Sequence, residues 1–153
     1  MRIEGRKKTI QVLYQLDILR QVYTSKFSEE TVTLQHPAVI DEMKILLNTL
    51  AQENGEIDVK YIRHSVEGVV QNQEAIDTAV SAHLAAKWPF NRLGYLERAI
   101  LRLGAFEILI DQDMSDTVAI NEAVKLAQEF CDDDAYKVIN GVLDKLAKAK
   151  ETE

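Results

Sequence analysis

Apolar residues recur at helical spacing along most of this chain, and the stretch from Val118 to Lys145 shows the pattern best. Its first half places Ala119, Ile120, Ala123, Val124, Leu126, Ala127 and Phe130 on one broad arc, with Asn121, Glu122, Lys125 and Gln128 opposite. That is the pattern of an amphipathic helix. Cys131 to Asp134 breaks the period, and a second helix then turns Ala135, Val138, Ile139, Val142, Leu143 and Leu146 inward. The aspartates at 132–134 stand where a helix N-terminus wants a cap and negative charge.

The same reading extends to the rest of the chain. A first helix is predicted from about Glu4 to Val22, with Thr9, Val12, Leu13, Leu16, Leu19 and Tyr23 as its core stripe. On its far side Lys7, Gln11, Tyr14 and Ile18 fall at i, i+4, i+7 and i+11, one contiguous row. Thr24 to Gln35 reads as a loop. Pro37 suits the first turn of a helix that carries Val39, Ile40, Met43, Leu46, Leu47 and Leu50 and stops near Asn54-Gly55. Asp58 is placed to cap the next helix, whose core is Val59, Ile62, Val66, Val69 and Val70. Gln71 to Gln73 breaks it before a short helix from Glu74 to about Ala86.

Trp88-Pro89-Phe90 turns the chain, and Trp88 and Phe90 are expected to plug a seam between two bundles. Leu96 to Ile110 is apolar nearly all round, which marks a central helix. The sum is an all-α protein of about seven helices in two packed helical-bundle subdomains, residues 1–87 and 88–153.

Composition narrows this further. A length of 153 residues allows one domain with a real core, or two small bundles sharing an interface. Six glycines and two prolines are too few to punctuate a many-stranded β fold. No apolar run approaches the roughly 18 residues a membrane span needs, and no signal peptide opens the chain. A single cysteine rules out an internal disulfide, so a soluble, cytoplasmic protein is expected. His36, His64 and His83 are far apart, Cys131 has no ligand-spaced companion, and no phosphate loop or nucleophile elbow is present. No metal, cofactor or catalytic residue is expected.

The formal charge of −7 repels a polyanion at long range, so any nucleic-acid site must be local. Arg2, Arg6, Lys7 and Lys8 crowd the first residues, and Lys137, Lys145, Lys148 and Lys150 gather in the last helix. If the fold brings the two ends together, one basic face survives; otherwise these are solvated helix ends. In the outer row of the first helix, Lys7 suits phosphate, Gln11 a base edge and Tyr14 a stacked base. Packing of Tyr14 and Ile18 on a neighbouring helix is the alternative. A second row, Glu97, Leu101, Gly104 and Ile108, offers a carboxylate beside an apolar strip with a glycine dip. It suits a partner protein, or Gly104 admits a close helix of the same chain. Arg98 and Arg102 form an i, i+4 pair suited to carboxylates or phosphate.

Beyond pattern, AINEAVKLA (Ala119–Ala127) and INGVLDKL (Ile139–Leu146) resemble the C-terminal signature of the NusB family of transcription antitermination factors. LYQLD (Leu13–Asp17) and LERAILRLGAFEIL (Leu96–Leu109) agree in order and spacing, so the resemblance covers nearly the whole chain. It implies an all-helical, non-catalytic factor that binds boxA-containing nascent leader RNA together with NusE, a small-subunit ribosomal protein, on RNA polymerase. Premature termination would be suppressed, chiefly in ribosomal RNA operons.

Carried over residue by residue, the resemblance implicates Arg2, Arg6, Lys7 and Tyr14 in RNA binding, with Gln11 in their row. It adds Asp134, Lys137 and Val138 at the start of the last helix, and puts Glu97 on the NusE side. Asn121 and Asn140 are expected to be structural hydrogen-bonders, with Gly141 allowing close packing. The arginine arm is thinner than the family's, Val138 stands where phenylalanine is usual, and Cys131 and Ala135 replace the commoner glycine and serine. A lost base stack is worth about 1–3 kcal/mol, so weak RNA binding alone is expected, with useful affinity in the presence of NusE. Two other readings stand beside this one. A NusB-like accessory domain of a ribosomal RNA methyltransferase needs a downstream S-adenosylmethionine domain, which a chain ending at Glu153 is expected to lack. A helical protein-binding adaptor needs no RNA.

Overall fold

A computed structural model describes residues 2–27, 32–54, 58–86 and 88–151. Gly55, expected to stop a helix, and the side chain of Arg2 lie outside the described residues. All regular structure among the described residues is helical, and the chain divides into two compact units, 1–73 and 74–153.

In the first unit α1 (Arg2–Phe27), α2 (Pro37–Asn54) and α3 (Val59–Gln71) each pack against the other two. The stripe that α1 buries is wider than its apolar residues alone predict: Arg6, Asp17 and Arg20 join Ile10, Leu13 and Leu16 in the core. Full burial of each such aliphatic side chain contributes about 1.5–3 kcal/mol. Gly5 admits the start of α3, since a Cβ there would lie 3.0 Å from Cδ1 of Tyr61.

The helix continues past its expected end at Val22 because tertiary partners hold its last turns. Arg20 Nε donates to Asp17 Oδ1 at 2.8 Å, and Nη1 reaches the Val32 carbonyl at 3.3 Å. Thr24 Oγ1 donates to the Arg20 carbonyl at 3.0 Å and accepts the Val32 N–H at 3.0 Å. At α2 the cap comes from His36, whose Nδ1 accepts the Ala38 N–H at 3.1 Å. Asp58, by contrast, sits at the N-cap position of α3 with no side-chain cap bond. The far end of α3 is closed by Gln35, whose Nε2 donates to the Val70 and Gln71 carbonyls at 3.1 Å. Those carbonyls have no partner inside the helix.

The second unit holds nearly all of α4 (Gln73–Ser81), a 3-10 turn (Phe90–Arg92), α5 (Tyr95–Phe106), α6 (Asp116–Phe130) and α7 (Ala135–Glu151). The boundary falls earlier than 87/88 because α4 is bound to α5. Both Asp77 oxygens accept from Arg102, each at 2.9 Å. Arg102 also lies over the Phe90 ring at 5.0 Å, and Arg98 lies over Tyr95 at 4.8 Å and Phe90 at 5.6 Å. The arginine pair is thus engaged within the fold by a carboxylate and by aromatic rings. Trp88 is no plug: it is 47 % exposed.

From Arg98 to Phe106 every residue of α5 is buried, as its all-round apolar surface predicts. It packs on α6 and α7, which run along each other. The helix does not continue to Ile110 in α form. Its backbone widens into a π turn over Glu107–Asp111, closed by the Gln112 N–H on the Glu107 carbonyl at 3.1 Å. Gln112 itself has φ 53°, in the left-handed region. Lys150 holds this turn from α7, donating to the Ile108 carbonyl at 3.0 Å and to Asp116 Oδ1 at 2.8 Å. Ser115 caps α6, its side chain accepting from the Val118 N–H at 3.2 Å. Gly141 faces open space, so it serves no close helix contact, and Asn121 and Asn140 are exposed.

Candidate nucleic-acid and partner interface

On the first unit, the outer row of α1 has Gln11 and Tyr14 exposed and Lys7 and Ile18 half-buried. Helical spacing alone sets this face. Beside it a groove of about 360 Å³ separates α1 from α2. Val12, Leu46 and Leu50 make its apolar floor; Gln11, Tyr14 and Gln15 stand along the α1 wall, with Thr49 and Glu53 on the α2 wall. Lys8 also lines it. Lys7 lies 3.7 Å from the exposed Glu4, an i, i+3 pair on the same helix.

Arg6 departs from the expected basic arm. It is 4 % exposed, and its guanidinium lies 5.5 Å from the centre of the Tyr61 ring on α3. Position 6 falls on the same inward stripe as Ile10 and Leu13, so helical phase turns its charge away from phosphate.

On the second unit, a cavity of about 620 Å³ opens where α7 begins. Leu93, Leu101 and Ile139 give it an apolar lining, and Trp88 and Val138 stand beside them. Glu97 and the aspartates 132–134 also line it. Glu97 is the third residue of α5 and curls back over Gly94, where a Cβ would collide with its carboxylate. Lys137 is exposed but lies 3.4 Å from Asp134, and Lys148 lies 3.0 Å from Asp144. With Lys150 bound to Asp116 as well, the lysines of α7 are largely matched by carboxylates. The expected basic cluster on this helix is correspondingly weakened.

The second row from the sequence is split by the fold. Glu97, half-buried, borders the cavity with Leu101, but Leu101, Gly104 and Ile108 are all buried. A Cβ on Gly104 would lie 2.7 Å from Leu143 Cδ1. The glycine dip is filled by α7 of the same chain, which corrects the reading of Leu101, Gly104 and Ile108 as an open partner surface.

The NusB family model matches residues 4–148. The chain belongs to the NusB family. It is 34 % identical over 157 residues to the transcription antitermination protein NusB of Clostridium tetani, covering 96 % of this chain and 97 % of that one. Among solved structures it is similar to T. maritima NusB, with 26 % identity, a TM-score of 0.73, and coverage of 97 % and 91 %. It is also similar to a chain of the crystal structure of antitermination factors NusB and NusE in complex with double-stranded RNA. There the identity is 27 %, the TM-score 0.72, and the coverage 97 % and 96 %. The all-α fold of the NusB family is therefore the fold of this chain. Among the described residues no helix is long and apolar enough to cross a membrane, and no group of three acids, histidines or cysteines is placed to hold a metal ion.

Sequence reasoning passed over Gln15, Thr49 and Glu53 in the groove and Leu93 in the cavity. Thr49 and Glu53 were legible only as an i, i+4 pair beside core leucines, a weak signal. Cys131 reports the field of the cavity. Its thiol is pushed up to about 11, by burial first and then by the carboxylates of Glu97 and Asp132. The unreactive thiol therefore dominates at neutral pH, and alkylation is expected to accelerate as pH rises toward that value. Glu97→Gln removes one of the charges, so at pH 8 its iodoacetamide reaction should outpace that of the wild type. An equal or slower rate would show that Glu97 does not act on this thiol.

Proposed function

We propose that this NusB-family protein binds boxA-containing nascent RNA jointly with NusE, a small-subunit ribosomal protein, within an RNA polymerase antitermination complex. The outcome is suppressed premature termination, chiefly in ribosomal RNA operons, and the work is done in the cytoplasm. The observation that carries this reading is the outer row of α1, where Gln11 and Tyr14 are exposed and Lys7 is half-buried, beside a groove. Family membership adds direct support, since curated relatives are transcription antitermination proteins and a similar chain comes from a NusB–NusE–RNA complex. The role is recognition without catalysis: charge neutralisation at Lys7, base contacts at Gln11 and Tyr14, and a partner held near Glu97 at the second unit's cavity. With Arg6 turned inward and α7 acidic at its start, electrostatic attraction to RNA is small, and the ribosomal partner must supply part of the affinity.

The test is a titration of labelled boxA RNA at several salt concentrations, with and without NusE. Binding is expected to be weak alone and much tighter with NusE. Nanomolar binding by the isolated protein at physiological salt would overturn the division of labour, and no binding even with NusE would overturn the function. Lys7→Ala is expected to lower the slope of log affinity against log salt by about 1. An unchanged slope would remove Lys7 from the site.

A further inference from the structure

We propose that the groove between α1 and α2 takes one unstacked nucleobase of the bound strand, and that α2 reads it as a base carrying an exocyclic amine, guanine best of all. The inference rests on the RNA-binding reading above and adds to it a second helix and a base preference. With about 360 Å³ and a floor of Val12, Leu46 and Leu50, the groove has room for one heterocycle but not for a helix or a duplex. Tyr14, 36 % exposed at the wall, offers a ring to the same base or its neighbour. Lys8 lines the groove and Lys7 neighbours it along the chain, so cationic groups lie close to where the strand's phosphates would run.

The α2 wall supplies the selectivity. Thr49 Oγ1 donates its proton to the Ile45 carbonyl at 2.8 Å, which leaves only acceptor lone pairs toward the groove. Glu53, one turn on, is a carboxylate and accepts only. A wall of acceptors favours a base edge of donors. Guanine presents N1–H and its N2 amine side by side, cytosine and adenine present one amine, and uracil presents a single ring N–H between two carbonyls. Gln11 and Gln15, with both donors and acceptors, satisfy the remaining edge of whichever base enters.

The experiment compares an all-uridine dodecamer with the same strand carrying one central guanosine, titrated against the 153-residue protein, with and without NusE, at 50 mM salt. The guanosine strand is expected to bind about tenfold tighter, the discrimination of one good bidentate contact. Glu53→Gln and the groove-filling Thr49→Trp should each bring the two strands to equal affinity, because each removes an acceptor that tells guanine from uracil. Equal affinity for the two strands, each with a clear salt slope, would overturn the base slot and leave RNA binding standing. A preference that survives both variants would also overturn it. Binding of neither strand, with NusE present as well as without it, would overturn the RNA-binding reading and this inference together.

Discussion

Replacing Asp17 by alanine is expected to destabilise the first unit by about 3–5 kcal/mol, the cost of stranding a buried guanidinium. Asp17 and Arg20 are 1 % and 8 % exposed and meet at 2.8 Å, and Arg20 also reaches the Val32 carbonyl. Removal of the carboxylate leaves that charge in a low-dielectric seam and loosens the hold on the segment that leads into α2. Urea unfolding gives the size of the effect, and hydrogen exchange of α1 amides locates it, since the two units need not open together. The double change Asp17→Leu with Arg20→Leu should recover much of the loss, because apolar residues of similar volume need no partner. A loss below about 1 kcal/mol for Asp17→Ala would mean that water reaches Arg20, and the pair would then count as a surface contact.

The second large effect is expected at Gly104. Even the Cβ of alanine would lie 2.7 Å from Leu143 Cδ1, and Leu143 is fully buried with little room to turn. Gly104→Ala gains about 1 kcal/mol of helix propensity, which offsets part of the crowding. Gly104→Val adds branched bulk and should cost about 3 kcal/mol. Leu143→Ala alone should cost about 2–5 kcal/mol through the cavity it leaves. The two together should cost clearly less than their sum, because the valine occupies space the leucine vacates. Strict additivity in thermal or urea unfolding would show that α5 and α7 do not meet at this point.

These two positions also show how far the sequence could be read. Positions 9, 12, 13 and 16 follow the helical period of α1 and are buried as that period requires. The same period carries Arg6, Asp17 and Arg20 inward, yet their charge argued for the surface. Each is accommodated by a group elsewhere: the Tyr61 ring for Arg6, the Asp17 carboxylate and the Val32 carbonyl for Arg20. Where residue type and helical phase disagree, a partner decides; helical spacing can pair Asp17 with Arg20, but it cannot reveal the Tyr61 ring or the Val32 carbonyl. The candidate site divides in the same way. Lys7, Gln11 and Tyr14 were legible because one helix places them on one row. Thr49 and Glu53 were not, because the groove exists only once α2 lies against α1.

The sequence by itself determined the helices, their inward faces and the family. Helical hydrogen bonds join residues four apart, so the period of apolar residues is enough to set local structure, and the family's sequence blocks run along nearly the whole chain. Tertiary structure alone decided that Arg6 is buried, that Gly104 is filled by Leu143, that α4 is tied to α5 through Asp77, and that Lys150 anchors a π turn. Each of those contacts joins residues far apart in the chain. Its energy depends on distance and burial in the folded state, which no local pattern of residue types encodes.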